Sequence, residues 1–238
     1  MRTSGLLWKA AWDLICAKIK QMQVIPAINC PDFDCAKETI KKTAEFLPTA
    51  GWIHIDISDG KFTPSLTWNN PRELMAFLKR EFRGFSPKVE VNLMALNPED
   101  KIEDWLRNDV NRVIISVESI TEPERLFRIL EKYDAEAMLS LSPGTPVERL
   151  FTYLPRFSEF HLLAVEPGFS GQKFDESVLE KIKLLRQRAP SAIIEVDGGI
   201  NPETASLVKA AGADIIVSAS YILGSLNPRE AYEKLASV

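Results

Sequence analysis

Two short alternations of polar and apolar residues, His54-Ile55-Asp56-Ile57-Ser58-Asp59-Gly60 and Glu195-Val196-Asp197-Gly198-Gly199, hold the residues of this 238-residue chain best suited to metal binding or proton transfer. Successive side chains on a strand point to opposite faces, so His54 and Asp56 share one face and Ile55 and Ile57 the other. By the same count Glu195 and Asp197 lie together, opposed by Ile194 and Val196. Each run breaks at glycine, where a loop can approach a ligand closely. Imidazole and carboxylates gathered at strand ends can hold a cation or move a proton. A third run, residues 88–94, repeats the pattern, with Glu90, Asn92 and Met94 on one face and Val89, Val91 and Leu93 on the other. Charges buried in such numbers are costly unless they serve a site.

The elements that must carry these residues repeat from about residue 24. Eight candidate strands fall near 24–28, 52–57, 88–94, 112–117, 136–141, 159–165, 192–197 and 214–218. Between them, Asn70-Pro71, Thr145-Pro146 and Asn227-Pro228 each offer an N-cap, a proline in the first turn and a glutamate placed for a capping box, and Asn97-Pro98 and Asn201-Pro202 begin two more helices. Strands alternating with helices at this spacing predict a parallel sheet with helical crossovers. Eight units, without a nucleotide-binding glycine fingerprint after the first strand, predict one α/β domain over residues 23–238: a closed (β/α)8 barrel, or TIM barrel. Active sites of such barrels lie at the C-terminal ends of the strands, where the glycine breaks fall here.

Three loops after the last three strands carry small residues: Gly168-Phe169-Ser170-Gly171, Gly198-Gly199 and Ala219-Ser220. Exposed backbone N–H groups beside helix starts bind anions, so these loops predict a phosphorylated substrate. The formal net charge of −4, with neither a basic block nor a basic stripe, argues against a nucleic acid or an anionic membrane as partner. Cys16, Cys30 and Cys35 form neither a CxxC nor a paired framework and read as ordinary semi-buried thiols of a reducing cytoplasm. No apolar run reaches the roughly 20 residues that span a bilayer. Residues 1–22 read as an added amphipathic helix packing on the domain, because Lys9 and Asp13 interrupt the apolar core a signal peptide needs.

Over residues 24–225 the chain closely resembles the ribulose-phosphate 3-epimerases, through His54-Ile-Asp-Ile-Ser-Asp-Gly-Lys-Phe62, Asn97-Pro-Glu-Asp100, Val165-Glu-Pro-Gly-Phe-Ser-Gly-Gln-Lys-Phe174 and Glu195-Val-Asp-Gly-Gly-Ile200 in family order. The resemblance implies a barrel that interconverts D-ribulose 5-phosphate and D-xylulose 5-phosphate through an enediolate. It implies Asp56 and Asp197 as the acid/base pair, and a divalent metal (Zn, Fe, Mn, Co or Mg) held by His54, Asp56 and Asp197. Self-association is also implied. Inverting a carbon beside a ketone means removing its proton from one face and returning one to the other, which suits two carboxyl groups.

The chain departs from the family pattern around the pocket. The strand-three histidine, the fourth metal ligand, is Asn92, whose amide oxygen is a poorer ligand for zinc or iron and shifts preference toward magnesium or manganese. Ala27 replaces a serine, Ser58 a methionine, Ser116 a histidine and Ser170 a glycine. Ala27, Ser58, Met94 and Leu163 are the expected pocket lining. His161 shares the inner face of its strand with Leu163 but lies roughly 6.8 Å deeper, and reads as a lower-barrel or core histidine rather than a replacement ligand. Two other functions stay open on these residues: a related barrel enzyme acting on another ketose or sugar phosphate, and a non-catalytic sugar-phosphate binder.

Overall fold

The computed structural model describes residues 22–82 and 87–238. The helix expected over 1–22 lies outside the described residues except for Met22, which is buried just before the first strand. Eight strands follow: β1 (Gln23–Ile28), β2 (Trp52–Ser58), β3 (Lys88–Met94), β4 (Arg112–Ser116), β5 (Glu136–Leu141), β6 (Glu159–Leu163), β7 (Ile193–Asp197) and β8 (Ile215–Ser218). They pair in parallel and in chain order, and β8 closes on β1, which makes a closed barrel. Among the described residues no helix is long and apolar enough to cross a membrane.

Helices cover the outer face. They are α1 (Phe33–Ala44), α2 (Pro71–Glu81), α3 (Ile102–Leu106), α4 (Pro123–Tyr133), α5 (Glu148–Phe151), α6 (Ser177–Arg188), α7 (Pro202–Ala211), α8 (Ser220–Leu223) and α9 (Pro228–Ala236), with a 3₁₀ turn at Pro98–Asp100. The outward residues Ile53, Ile55, Ile57, Val89, Val91, Leu93, Ile194 and Val196 are buried beneath helix residues such as Ile40, Leu74, Leu78, Ile182 and Val208. Full burial of each such side chain stabilises the fold by about 1.5–3 kcal/mol. The interior is divided. Ile25, Ala27, Ile114, Met138, Ile215 and Val217 form an apolar cluster from β1, β4, β5 and β8. The histidines and carboxylates come from β2 and β3 on one side and from β6 and β7 on the other, joined by Arg112 and Ser116 of β4 and Ser140 of β5.

The helix starts follow the expected positions with altered chemistry. Asn70 accepts from Glu73 N and Asn227 from Glu230 N, but neither glutamate closes a capping box: Glu73 accepts from Trp68 Nε1 at 2.8 Å, and Glu230 from Asn227 Nδ2 at 3.3 Å. The full box forms at Asn201 with Thr204. Asn97 is left-handed (φ 50°) and caps nothing, and the helix expected at Thr145-Pro146 begins only at Glu148.

The reading of the cysteines as separate thiols is corrected: Cys30 and Cys35 are joined in a disulfide. The turn from β1 into α1 folds back on itself, with Asp32 capping Cys35 N, and this brings the two Cα atoms to 5.7 Å, a distance the sequence spacing does not reveal. Cys16 lies outside the described residues.

Candidate active site

A cavity opens at the C-terminal ends of the strands. Its floor and sides include Ala27 and Asn29 from β1 and its following loop, Asp56 from β2, Met94 from β3, Leu163 from β6 and Asp197 from β7. Its rim is the loop 165–172, Gly198-Gly199-Ile200 and Val217-Ser218-Ala219-Ser220, so Gly168, Phe169, Ser170, Gly171, Gly198, Gly199, Ala219 and Ser220 all lie on one cavity. His54 and Asn92 are fully buried beneath it. Ser58 lies outside the lining: its backbone N–H donates to Thr67 Oγ1, and its own hydroxyl is buried without a partner among the described residues.

Two glycines shape this rim through contacts. A Cβ on Gly199 (φ +64°) would lie 2.7 Å from the Phe174 backbone, and one on Gly198 (φ +111°) would lie 2.6 Å from Val165 Cγ2. Only glycine lets the β7 loop pass this close to the segment following β6. Gln172 Nε2 donates to the Glu166 and Phe169 carbonyls at 2.6 and 2.8 Å and gives that segment its shape.

At the centre, the Asp56 carboxylate collects three donors. His54 Nε2 approaches Oδ1 at 3.2 Å, Asn92 Nδ2 donates to Oδ1 at 3.1 Å, and Asn29 Nδ2 donates to Oδ2 at 3.3 Å. Burial pushes this carboxyl toward its neutral form, but the His54 and Asn92 hydrogen bonds and the nearby imidazoles outweigh it and hold the pKa below the ordinary value. Asp197 has no such set of donors: burial, joined by the Asp56 charge, pushes it up to about 6. Two carboxyl groups on one cavity are thereby driven apart, a pattern typical of acid/base pairs.

A polar layer supports them from below. Burial works against a charged His54, yet its hydrogen bonds to Asp56 and Glu90 raise its pKa well above the ordinary histidine value. Its Nδ1 lies 2.8 Å from Glu90 Oε1, and Glu90 Oε2 accepts from Arg112 at 3.0 Å. His161 stacks against His54 with centroids 5.6 Å apart and pairs through Nδ1 with Glu195 at 2.6 Å. Burial lowers His161 to about 4 and holds Glu195 well above the usual carboxylate range. His161 Nε2 is 4.0 Å from Asp197 Oδ2, so this ring lies in the supporting layer.

The residues fit a divalent cation. One ligand atom each from His54, Asp56 and Asp197 lies within 4.8 Å of the other two, and Asn92 Oδ1 is buried without a partner among the described residues. The Glu90 contact on His54 Nδ1 leaves Nε2 facing Asp56 and is of the kind that orients an imidazole toward a cation. A deeper grouping of His54, Glu90 and Glu195 is also compact, but there Arg112 already supplies positive charge to Glu90.

Sequence reasoning missed Asn29 and Gln172. Asn29 precedes Cys30-Pro31-Asp32 and reads as turn, and the role of Gln172 depends on a loop shape that no periodicity encodes.

Comparison with known proteins follows the same lines. Residues 23–223 match the ribulose-phosphate 3 epimerase family. A ribulose-phosphate 3-epimerase of Chlamydia pneumoniae is 37% identical over 213 residues, covering 86% of this chain and 89% of that relative. One from Aquifex aeolicus is 30% identical over 217 residues, with 90% and 95% covered. The cytoplasmic isoform of Oryza sativa subsp. japonica is 35% identical over 190 residues, with 78% and 81% covered. Among solved structures, a 3-hexulose-6-phosphate synthase superposes with a TM-score of 0.65 at 16% identity, covering 91% of this chain and 99% of that one, a likeness of fold.

Proposed function

The chain belongs to the ribulose-phosphate 3-epimerase family, and from that premise we propose that it inverts C3 of a pentulose 5-phosphate, interconverting D-ribulose 5-phosphate and D-xylulose 5-phosphate. The observation that carries this reading is the pair of carboxyl groups, Asp56 and Asp197, on one cavity in opposite electrostatic settings.

In one direction Asp56 takes the C3 proton, the C–H pair forms a C2–C3 double bond as the carbonyl π pair moves onto oxygen, and Asp197 then delivers a proton to the opposite face of C3 as the oxygen pair re-forms the carbonyl. The reverse direction exchanges the two roles. His54 and Asn92 hold the Asp56 carboxylate in place while this happens. The phosphate group rests against the loops at Gly168–Gly171, Gly198-Gly199 and Ala219-Ser220, and the cavity walls Ala27, Met94 and Leu163 exclude water from the reacting carbons. His54, Asp56 and Asp197, with Asn92 as a weaker fourth ligand, would hold a divalent cation, which would supply positive charge near the substrate oxygen that becomes negative. With oxygen atoms in the majority in this donor set, magnesium or manganese suits it better than zinc or iron.

The test is proton NMR of D-ribulose 5-phosphate in D2O, with protein as isolated and with added manganese. Exchange at C3 that is metal-dependent and lost in Asp197→Asn is the expected result. No exchange with any metal refutes the proposal. A second reading, the same proton chemistry on a different ketose phosphate, is favoured by one observation: Ala27 lines the cavity at the position where the resemblance implies a serine. Running the exchange assay on a hexulose 6-phosphate separates the two readings.

A further inference from the structure

We infer that Asn29 is a positioning residue that couples the seating of the phosphate group to the orientation of Asp56. The inference rests on the epimerase reading for its catalytic half and stands apart from it for its binding half. Asn29 is half-buried and follows directly on β1. A single atom, Nδ2, donates to Asp56 Oδ2 and to the Gly168 carbonyl, both at 3.3 Å. A primary amide nitrogen has two N–H bonds, so these two acceptors use its full donating capacity.

The two acceptors belong to different parts of the site. Asp56 Oδ1 is already engaged by His54 and Asn92, so Asn29 provides the hydrogen bond described at the other oxygen, and together the three donors fix the rotation of the carboxylate about its last bond. Gly168 lies in the loop after β6. It has a φ of +125°, and a Cβ there would come within 3.0 Å of Ser65 Oγ and 3.2 Å of Thr63 Cβ. The loop thus passes close to the segment after β2 on one side and is tied to the β1 loop by Asn29 on the other. A displacement of Gly168 pulls on the same amide that orients Asp56.

Asn29→Leu removes both donors while keeping the same number and branching of side-chain heavy atoms and without adding charge. Asn29→Asp keeps the shape and polarity, but at neutral pH it has no side-chain N–H. Two quantities are read in each variant, together with the thermal midpoint to show that the protein is folded. The first is the affinity for inorganic phosphate by titration calorimetry. The second is kcat and KM for the pentulose phosphate. Hydrogen bonds to charged groups are strong enough that kcat falls by about tenfold to a hundredfold in both variants. Phosphate affinity falls several-fold in both, and the thermal midpoint of Asn29→Leu stays near that of the parent protein.

A purely structural Asn29 lowers the midpoint and leaves the kinetic constants of the folded fraction unchanged, and that result overturns the inference. Parent-like phosphate affinity and kcat in Asn29→Asp overturn it as well, even if Asn29→Leu does not fold. Absence of turnover by the parent protein on every substrate refutes the epimerase reading instead. Phosphate affinity then decides the tie to the loop by itself, and an unchanged affinity in the variants refutes it.

Discussion

Asp56 shows how closely one carboxylate can be regulated by its neighbours: it is buried, which opposes charge, and is kept ionised by His54 of β2 and Asn92 of β3, while Asn29 from the loop after β1 donates to its other oxygen. Asn92 holds the position where the resemblance implies a histidine, and its amide divides its capacity between donating to Asp56 and leaving Oδ1 unpartnered among the described residues. Imidazole is a stronger ligand than an amide oxygen for the softer divalent ions. Asn92→His is therefore expected to tighten zinc binding by about tenfold or more, within the range known for changes around metal sites, as measured by competition with a chromophoric chelator. If zinc affinity does not rise, Asn92 is not at a ligand position. At this scale the sequence was most readable where residue type and strand parity coincide: His54, Asp56, Asn92 and Asp197 could all be placed on an inner face. Asn29 could not, because it lies just past the end of β1, where alternation no longer says which way a side chain points. The depth of His161 followed from counting residues along its strand, but its pairing with Glu195 required knowing which strands are neighbours.

Elements bring these residues together through close passages of backbone, and the loop after β7 is one such passage. Gly199→Ala combines a left-handed backbone with a methyl group 2.7 Å from main-chain atoms of Phe174, so the two loops must separate. The conformational part alone costs about 1–2 kcal/mol, and displacement of the Phe174 segment adds to it. The expected outcome is a lowered denaturation midpoint together with weakened phosphate binding, read by chemical denaturation and calorimetry. Gly144→Ala is the matched control: nothing lies within 4 Å of its added methyl, so stability should change little. Strand positions were legible to within a residue or two because β-branched runs alternate with helix starts at regular spacing. Capping chemistry was less so. Glu73 turned to the Trp68 indole and Glu230 to the Asn227 amide, choices made by side chains that local sequence rules do not weigh. The Cys30–Cys35 bridge escaped for a related reason, since it depends on the angle at which α1 leaves β1.

The pH dependence of stability belongs to the whole molecule, because buried groups in the barrel work against one another. His161 titrates near 4 in the folded protein and near 6.5 when unfolded, so the unfolded chain binds more protons between these values and stability is lost as pH falls through that window. Asp197 acts in the opposite sense. Raised from 3.8 to about 6, it makes the folded protein bind more protons across nearly the same window and gain stability as pH falls. Glu195, held well above the usual carboxylate range by burial, acts in the same sense as Asp197, so the two raised carboxyls together oppose the His161 loss as the pH falls from 6 to 4. Acid sensitivity below pH 4 then rests on carboxylates held below their ordinary range. Asp59 is foremost: despite partial burial, Lys101 at 2.6 Å and the backbone N–H groups of Phe62, Lys61 and Leu96 keep it ionised. A depressed folded pKa gives stability that is present above the unfolded value of about 3.8 and lost as pH falls below it. Asp59→Asn is expected to lower stability at pH 7 and to flatten the decline below pH 4, followed as the urea midpoint across pH 2.5–7, roughly the span over which these groups titrate. A parallel downward shift of the whole profile would show that Asp59 acts through its shape and hydrogen bonds and not through its charge. A divalent cation adds a second contrast. By drawing Asp197 toward its ionised form it weakens the contribution that opposes His161, so between pH 6 and 4 the stability of the cation-loaded protein should shift toward loss relative to that of the cation-free protein.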